Sequence, residues 1–162
     1  MINKDEFCKY IKQYEKAMYF LAYSIVENEQ DAADIVGESI LKAYSNLNKL
    51  NSKKAFKTWI LRIVHNTAIE YIRKNKVSVD VDEIDIIDEK NVVNNIENKI
   101  VLRDAIESLK QPYRTVLVLF YYENLSIYQI ANITGNNVLA IRQQLSRGRK
   151  MLKNILEEFM YG

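Results

Sequence analysis

SIYQIANITGNNVLAIRQQLSRGRKMLK, residues 126–153, decides how this chain is read. It divides into a short apolar-periodic segment, a turn at Gly135, and a longer segment with two chemically opposite faces. At about 100° per residue, Val138, Ile141, Leu145, Leu152, Ile155, Leu156 and Phe159 fall on one stripe. Arg142, Gln143, Ser146, Arg147, Arg149, Lys150 and Lys153 fall on the other side. Two helices around a glycine-bearing turn, the second amphipathic and basic, form the pattern of a helix-turn-helix. Such a second helix can lie in a DNA major groove.

Working outward, Ile96 to Leu109 reads as a helix, and Pro112 suits the first turn of the next, where a missing N–H costs nothing. That next helix, YRTVLVLFYYEN (113–124), is apolar nearly all round and should be the central packing element of a four-helix module, residues 96–162. The front of the chain, residues 1–76, reads as three amphipathic helices. The first runs from about Lys4 to Val26, with Phe7, Ile11, Tyr14, Met18, Leu21, Ala22 and Ile25 at helical spacing. The second runs from about Gln30 to Leu47, through Ala32, Ile35, Val36, Ser39, Ile40, Ala43 and Tyr44. After a loop at Asn48–Ser52, the third runs from about Lys54 to Lys74, through Phe56, Trp59, Ile60, Ile63, Val64, Thr67, Ala68, Tyr71 and Ile72. Helices of this kind can bury a shared core. Between the blocks, VSVDVDEIDIIDEKNVVNN (77–95) alternates apolar and acidic residues at the strand period. No neighbouring segment reads as a strand that could pair with it, and an isolated strand is unstable in water. The fold expected is all-α: two small helical domains joined by an acidic flexible linker.

Composition narrows the function classes. A hydrophobic fraction of 48% over 162 residues permits real cores. No apolar run approaches the roughly 18 residues needed to span a bilayer, and the N-terminal MINKDEFCKY has no signal-peptide core. The lone Cys8, expected to be a small core or flank residue, excludes an internal disulfide, and a reducing, cytoplasmic setting fits. The net charge of +2 hides a division: +4 over residues 1–76, −5 over 77–95 and +3 over 96–162. Charge so distributed says more about nucleic-acid partners than the total does.

The third helix carries Lys54, Thr58, Arg62, His65, Asn66, Ile69 and Arg73 opposite its apolar stripe, and residues 53–76 hold seven basic side chains against Glu70 alone. Such a face can contact phosphates and base edges, or it can be an ordinary solvated helix face. Asp31, Asp34 and Glu38 share one face at the start of the second helix, with Glu27 and Glu29 just before. Acids there meet the helix dipole favourably, by about 0.3–1 kcal/mol each; they could equally form a docking surface for a basic partner. No catalytic, cofactor or metal site is expected. The four glycines, at 37, 135, 148 and 162, make no phosphate loop, and no His or second acid cluster stands at ligand spacing. His65 is expected at the rim of its helix rather than as a general base.

These residues resemble the extracytoplasmic-function sigma factors of bacterial RNA polymerase, and the similarity covers nearly the whole chain. DAADIVGESILKAY (31–44) resembles the family's polymerase-docking helix, and FKTWILRIVHNTAIEYIRK (56–74) the helix that engages the promoter's −10 element. YRTVLVLFYYENLSIYQIANITGNNVLAIRQQLSRGRKML (113–152) resembles the −35-reading domain. The chain departs from the family at Gly37, where Gln is usual, at Ile40 for Phe, and at Leu109-Lys110, with the proline displaced to Pro112. It also has Gln129 for a common Glu, Ala140-Ile141 for Thr-Val, and Gln143-Gln144 where small polar or basic residues are usual.

The resemblance implies a promoter-specificity subunit with no reaction of its own. Residues 1–76 would dock on core polymerase through Asp31, Asp34, Gly37 and Glu38. Lys42 and Asn46 would approach the upstream −10 DNA, and the loop with Asn48, Lys49, Asn51, Ser52, Lys53 and Lys54 would accept a flipped base. Thr58, Arg62 and Asn66 would contact the same element as it opens. Arg142, Gln143, Gln144, Ser146 and Arg147 would read or clamp the −35 element, Arg149 and Lys150 would hold phosphates, and Leu139 would touch a thymine methyl. The acidic connector would thread the polymerase's positively charged RNA path. The implied partners are core polymerase, promoter DNA and, as a candidate regulator, an anti-sigma factor. A free-standing helix-turn-helix regulator is the alternative; it leaves residues 1–76 without a purpose. A third reading is a decoy that docks on polymerase without starting transcription.

Overall fold

The computed structural model describes residues 2–75 and 98–161. The expected linker at 77–95 lies outside the described residues. Every regular element among those described is helical, as the periodicity predicts.

Helix α1 (Lys4–Val26) starts where Asn3 accepts the Glu6 N–H at 2.9 Å while the Glu6 carboxylate faces the Asn3 N–H, a reciprocal cap that occupies orphan donors. It ends at Glu27, whose backbone turns left-handed at φ 53°. Helix α2 (Glu29–Ser45) is capped by Asn28, which accepts the Asp31 N–H at 2.9 Å. It stops before Leu47, the expected end, where the Asn46 amide donates to the Lys42 carbonyl at 2.8 Å. Short 3₁₀ turns at Leu47–Lys49 and Lys53–Ala55 flank the expected loop, the second standing where α3 was expected to begin, and α3 runs over Phe56–Asn75. Phe56, fully buried, centres the packing of this bundle, with the rings of Tyr10 and Trp59 at 5.0 and 5.7 Å. Cys8, expected in the core or on a flank, lies on the exposed face of α1.

The second bundle comprises α4 (Asn98–Glu107), α5 (Tyr113–Leu117), α6 (Ile127–Thr134) and α7 (Val138–Tyr161). The chain leaves α5 through a wide π turn at Val118–Tyr122 instead of continuing as α-helix to the end of the apolar run. Ser126 and Gln129 form the reciprocal cap of α6. Gly135 closes α6 at φ 75°, a conformation that costs glycine little. The Asn137 side chain accepts the Ala140 N–H at 2.7 Å and opens α7. Ile141, Leu145 and Leu152 of the expected stripe are buried, and Val138, Ile155, Leu156 and Phe159 are half-buried.

The bundles share one continuous apolar core, running from Ile2 in the first to Leu152 in the second. Helix α6 packs along α3, and α1 packs against α5 and the π turn. Arg114 crosses this seam. Taking a guanidinium out of water costs several kcal/mol unless it is well hydrogen-bonded. Here Nε donates to the Ser24 carbonyl at 2.6 Å and Nη1 to the Leu109 carbonyl at 2.9 Å.

Two glycines have opposite surroundings. A Cβ at Gly148 would lie 3.3 Å from Cδ1 of the fully buried Leu117, so α5 and α7 approach closely because that atom is missing. A Cβ at Gly37 would meet nothing within 4 Å. Gly37→Ala should therefore stabilise the chain by about 0.5–1 kcal/mol. Gly148→Ala should destabilise it by about 1–3 kcal/mol through overpacking. Paired thermal melts should move in opposite directions; a rise for both would contradict the close approach.

Candidate nucleic-acid and partner interfaces

The outer face of α7 carries seven of the residues expected at the −35 element: Leu139, Arg142, Gln143, Ser146, Arg147, Arg149 and Lys150 are all exposed. Gln144 is not among them. It is half-buried, and its Oε1 has no hydrogen-bond partner among the described residues. One helical step from Gln143 carries it toward the core side of α7. Leu139 is 67% exposed, an apolar side chain with no intramolecular reason to face water. The Arg149 guanidinium sits 4.7 Å above the Phe120 ring, a cation–π contact that orients it from below.

On the first bundle, Asn48, Lys49, Asn51, Ser52, Lys53 and Lys54 are exposed, as are Arg62 and Asn66 along α3; Thr58 is half-buried. Three of the expected contacts are occupied within the chain. Lys42 Nζ stands 3.2 Å from Glu70, 3.5 Å from Glu38 and 3.3 Å from the Thr67 hydroxyl. Asn46 caps α2, and Lys53 pairs with Glu6 at 2.6 Å. That pair holds the Glu6 carboxyl below its ordinary range and the Lys53 amine above it. Ion pairs this open to solvent are weak, so a phosphate could displace them.

Asp34, Gly37 and Glu38 lie exposed along one face of α2. Asp31 is half-buried and accepts the Tyr71 hydroxyl, which pushes that phenol's pKa up. Sequence reasoning overlooked Leu41, four residues after Gly37 and 71% exposed beside these acids. Its place off the Ile40–Ala43 stripe was the available signal. An apolar side chain flanked by carboxylates suits a partner surface better than bulk water.

His65 is half-buried with Nδ1 unpartnered among the described residues. Burial pushes its pKa below the ordinary value, with the Asn66 side chain opposing. It is the chain's only histidine. Among the described residues no group of three His, Cys, Asp or Glu could hold a metal ion, and no helix is long and apolar enough to cross a membrane.

A family profile described as Sigma-70 region 2 matches residues 10–77, and one described as Sigma-70, region 4 matches residues 99–152. The chain belongs to the extracytoplasmic-function sigma factors of bacterial RNA polymerase. It is 32% identical over 149 residues to the RNA polymerase sigma factor SigV of Bacillus subtilis (strain 168), covering 88% of this chain and 86% of that one. To SigW of the same organism, an ECF RNA polymerase sigma factor, it is 28% identical over 171 aligned positions, covering 96% and 91%. Among solved structures, the sigma factor RpoE in complex with the anti-sigma factor NepR, from Bartonella quintana, shares the fold. Its TM-score is 0.73 at 19% identity, over 94% of this chain and 97% of that one. CnrH in complex with the cytosolic domain of CnrY gives a TM-score of 0.67, also at 19% identity, over 96% and 90%.

The lone histidine yields a clean titration. A His whose folded pKa lies below its unfolded value binds more protons unfolded, so stability is full above pH 6.5 and falls as pH drops toward the folded pKa. Melts between pH 7.5 and 5.5 should show this decline, and His65→Gln should flatten it. A slope unchanged in His65→Gln would contradict the buried, neutral imidazole.

Proposed function

We propose that the chain docks on core RNA polymerase through the acidic face of α2. Held there, it engages the two promoter elements with α3 and its preceding loop on one side and with α7 on the other. The observation that carries this reading is the pairing of two exposed cationic helix faces on separate bundles, with an acidic, apolar-centred face beside the first. Residues 1–76 and 96–162 are then the two working modules.

Each face has a chemical task. Asp34 and Glu38 attract a basic polymerase surface while Leu41 supplies a dry anchor at its centre. Arg62, Asn66 and Thr58 follow the −10 strand as it opens, and Lys49 and Lys54 flank the loop that takes an unstacked base, offsetting an opening cost of a few kcal/mol. On α7, Arg142, Gln143, Ser146 and Arg147 face base edges, Lys150 and Arg149 face phosphates, and Leu139 suits a thymine methyl. The protein works by positioning, with no covalent step of its own. An anti-sigma factor is a further proposed partner, since RpoE and CnrH, which share this fold, were each solved with a protein partner.

Transcription of a genomic library by core polymerase, with and without this protein, tests the reading. New start sites sharing two upstream elements are the expected result; docking without transcripts would make the chain a decoy. Asp34→Lys with Glu38→Lys should weaken core polymerase binding at least tenfold in a fluorescence titration. Arg147→Ala should cost about 1–3 kcal/mol and relax base preference in the −35 element, whereas Lys150→Ala should weaken all promoters alike and lower the salt dependence. Equal effects on cognate and scrambled −35 sequences for both variants would contradict the assignment.

A further inference from the structure

A cavity of about 350 Å³ opens where α1 meets α4 and the π turn. Sites that hold small molecules span roughly 300–1,000 Å³, with walls that are mostly apolar and aromatic and a few polar groups set among them. This cavity has that make-up. Phe20 and Tyr23 of α1, Ile106 of α4, and Val118 and Tyr122 of the π turn supply its walls. Ile106 and Val118 are buried, so the core behind them fixes the shape of the floor. None of the residues assigned above to polymerase or to promoter DNA lines it.

The polar groups of the lining divide into engaged and open ones. Ser24 is engaged: its carbonyl accepts Arg114 Nε and Gln111 Nε2, and its hydroxyl donates to the Leu21 carbonyl at 2.7 Å. Glu107, the one carboxylate of the lining, is held by Arg103 Nε at 3.0 Å. Lys16 is exposed and forms no ion pair among the described residues, and its ammonium stands 5.8 Å from the centre of the Phe20 ring. The Arg103 guanidinium stands over the same ring at 5.4 Å. Two cations on different helices thus converge on one aromatic wall. No hydrogen bond reaches the Tyr23 or Tyr122 hydroxyl among the described residues, and burial pushes both phenols up in pKa. Each therefore keeps its proton at neutral pH and can donate it to an acceptor.

We propose that this cavity binds a small molecule with a carboxylate head and an apolar body, acyl or aryl. The head lies at Lys16 and the two tyrosine hydroxyls, and the body lies against Phe20, Ile106 and Val118. A carboxylate is acceptor-only, so it answers an open set made of donors, and its bond to an ammonium is of the stronger, charge-assisted kind. A cationic ligand would meet Lys16 and Arg103 with the only lining carboxylate already taken. A neutral apolar ligand would cover the donors without pairing them. Inorganic phosphate has no body to displace water from the walls. The site is separate from the polymerase and promoter surfaces and does not rest on the docking reading.

Calorimetric titration of the full chain with decanoate below its micelle-forming concentration, and separately with 4-phenylbutyrate, tests the site and tells an acyl body from an aryl one. One saturable site with a dissociation constant at or below about 100 µM is expected for at least one of them. The matching amine of the ligand that binds should bind at least tenfold more weakly. Lys16→Glu should weaken carboxylate binding at least tenfold and Lys16→Arg less than threefold. Lys12→Glu, one turn earlier on α1 and outside the lining, should leave it unchanged. Lys16 is exposed, so these replacements leave the core intact. Tyr122→Phe, which removes one hydroxyl and keeps the ring, should weaken binding about threefold or more. Amide chemical-shift changes on binding should cluster at Phe20, Tyr23, Ile106 and Tyr122. No saturable binding of either carboxylate, equal binding of the matching amine, or a loss in Lys12→Glu as large as in Lys16→Glu would each overturn the site. Shift changes centred on the exposed Leu41 or Leu139 would overturn it as well.

Discussion

Residues 113–124 impose the constraint on which the rest of the structure depends: the segment YRTVLVLFYYEN is apolar nearly all round, and only Tyr121, Tyr122 and Asn124 at its end are exposed. Val116, Leu117, Val118 and Leu119 are all buried, and full burial of such side chains contributes about 1.5–3 kcal/mol each. Four of them match the whole net stability of a typical domain, about 5–15 kcal/mol. The stretch Val116–Leu119 must therefore be enclosed from every direction. Helix α7 closes one side through the gap left by Gly148, α4 and α6 close others, and α1 of the first bundle closes what remains. The two bundles are joined by that requirement, and the polar contacts of Arg114 and Lys57 fix how they meet.

Charge is then sorted by what each cation finds nearby. Lys42, Lys53, Lys57 and Arg114 are engaged by Glu38 and Glu70, Glu6, Glu123, and main-chain carbonyls respectively. Arg142, Arg147 and Lys150 on α7, with Lys49 and Lys54 beside the loop before α3, are exposed and form no ion pair among the described residues, and these are the groups best placed to release counterions on contact with phosphate. A net charge of only +2 is compatible with DNA binding because the positive charge is concentrated on these faces.

Helix existence was legible because the apolar stripes repeat cleanly. The Asn3, Asn28 and Ser126 caps, and Gly135 at the end of α6, set the ends where strong local chemistry exists. Local competition moved other ends: Asn46 folding onto Lys42 stopped α2 early. The π turn at Val118–Tyr122 had no periodic signature, since an apolar run reads alike as α or π. The face of α7 followed from angle alone, except for Gln144, which sits at the boundary between stripe and face. The seam between the bundles was not legible. Ser24, Gln111, Arg114 and Thr115 are polar residues scattered over 92 positions, and only the folded chain brings them together. Leu41 was hidden for a different reason: an exposed leucine differs from a buried one only by the face it occupies.

The central claim is that two small cationic faces become a promoter-reading device only when polymerase sets their spacing, an avidity effect. Footprinting of a promoter fragment in physiological salt tests it most directly. Protection of both elements at nanomolar concentration with core polymerase present, and none from the protein alone below about micromolar, a typical range for non-specific DNA binding, is the predicted result. Nanomolar protection by the free protein would contradict it.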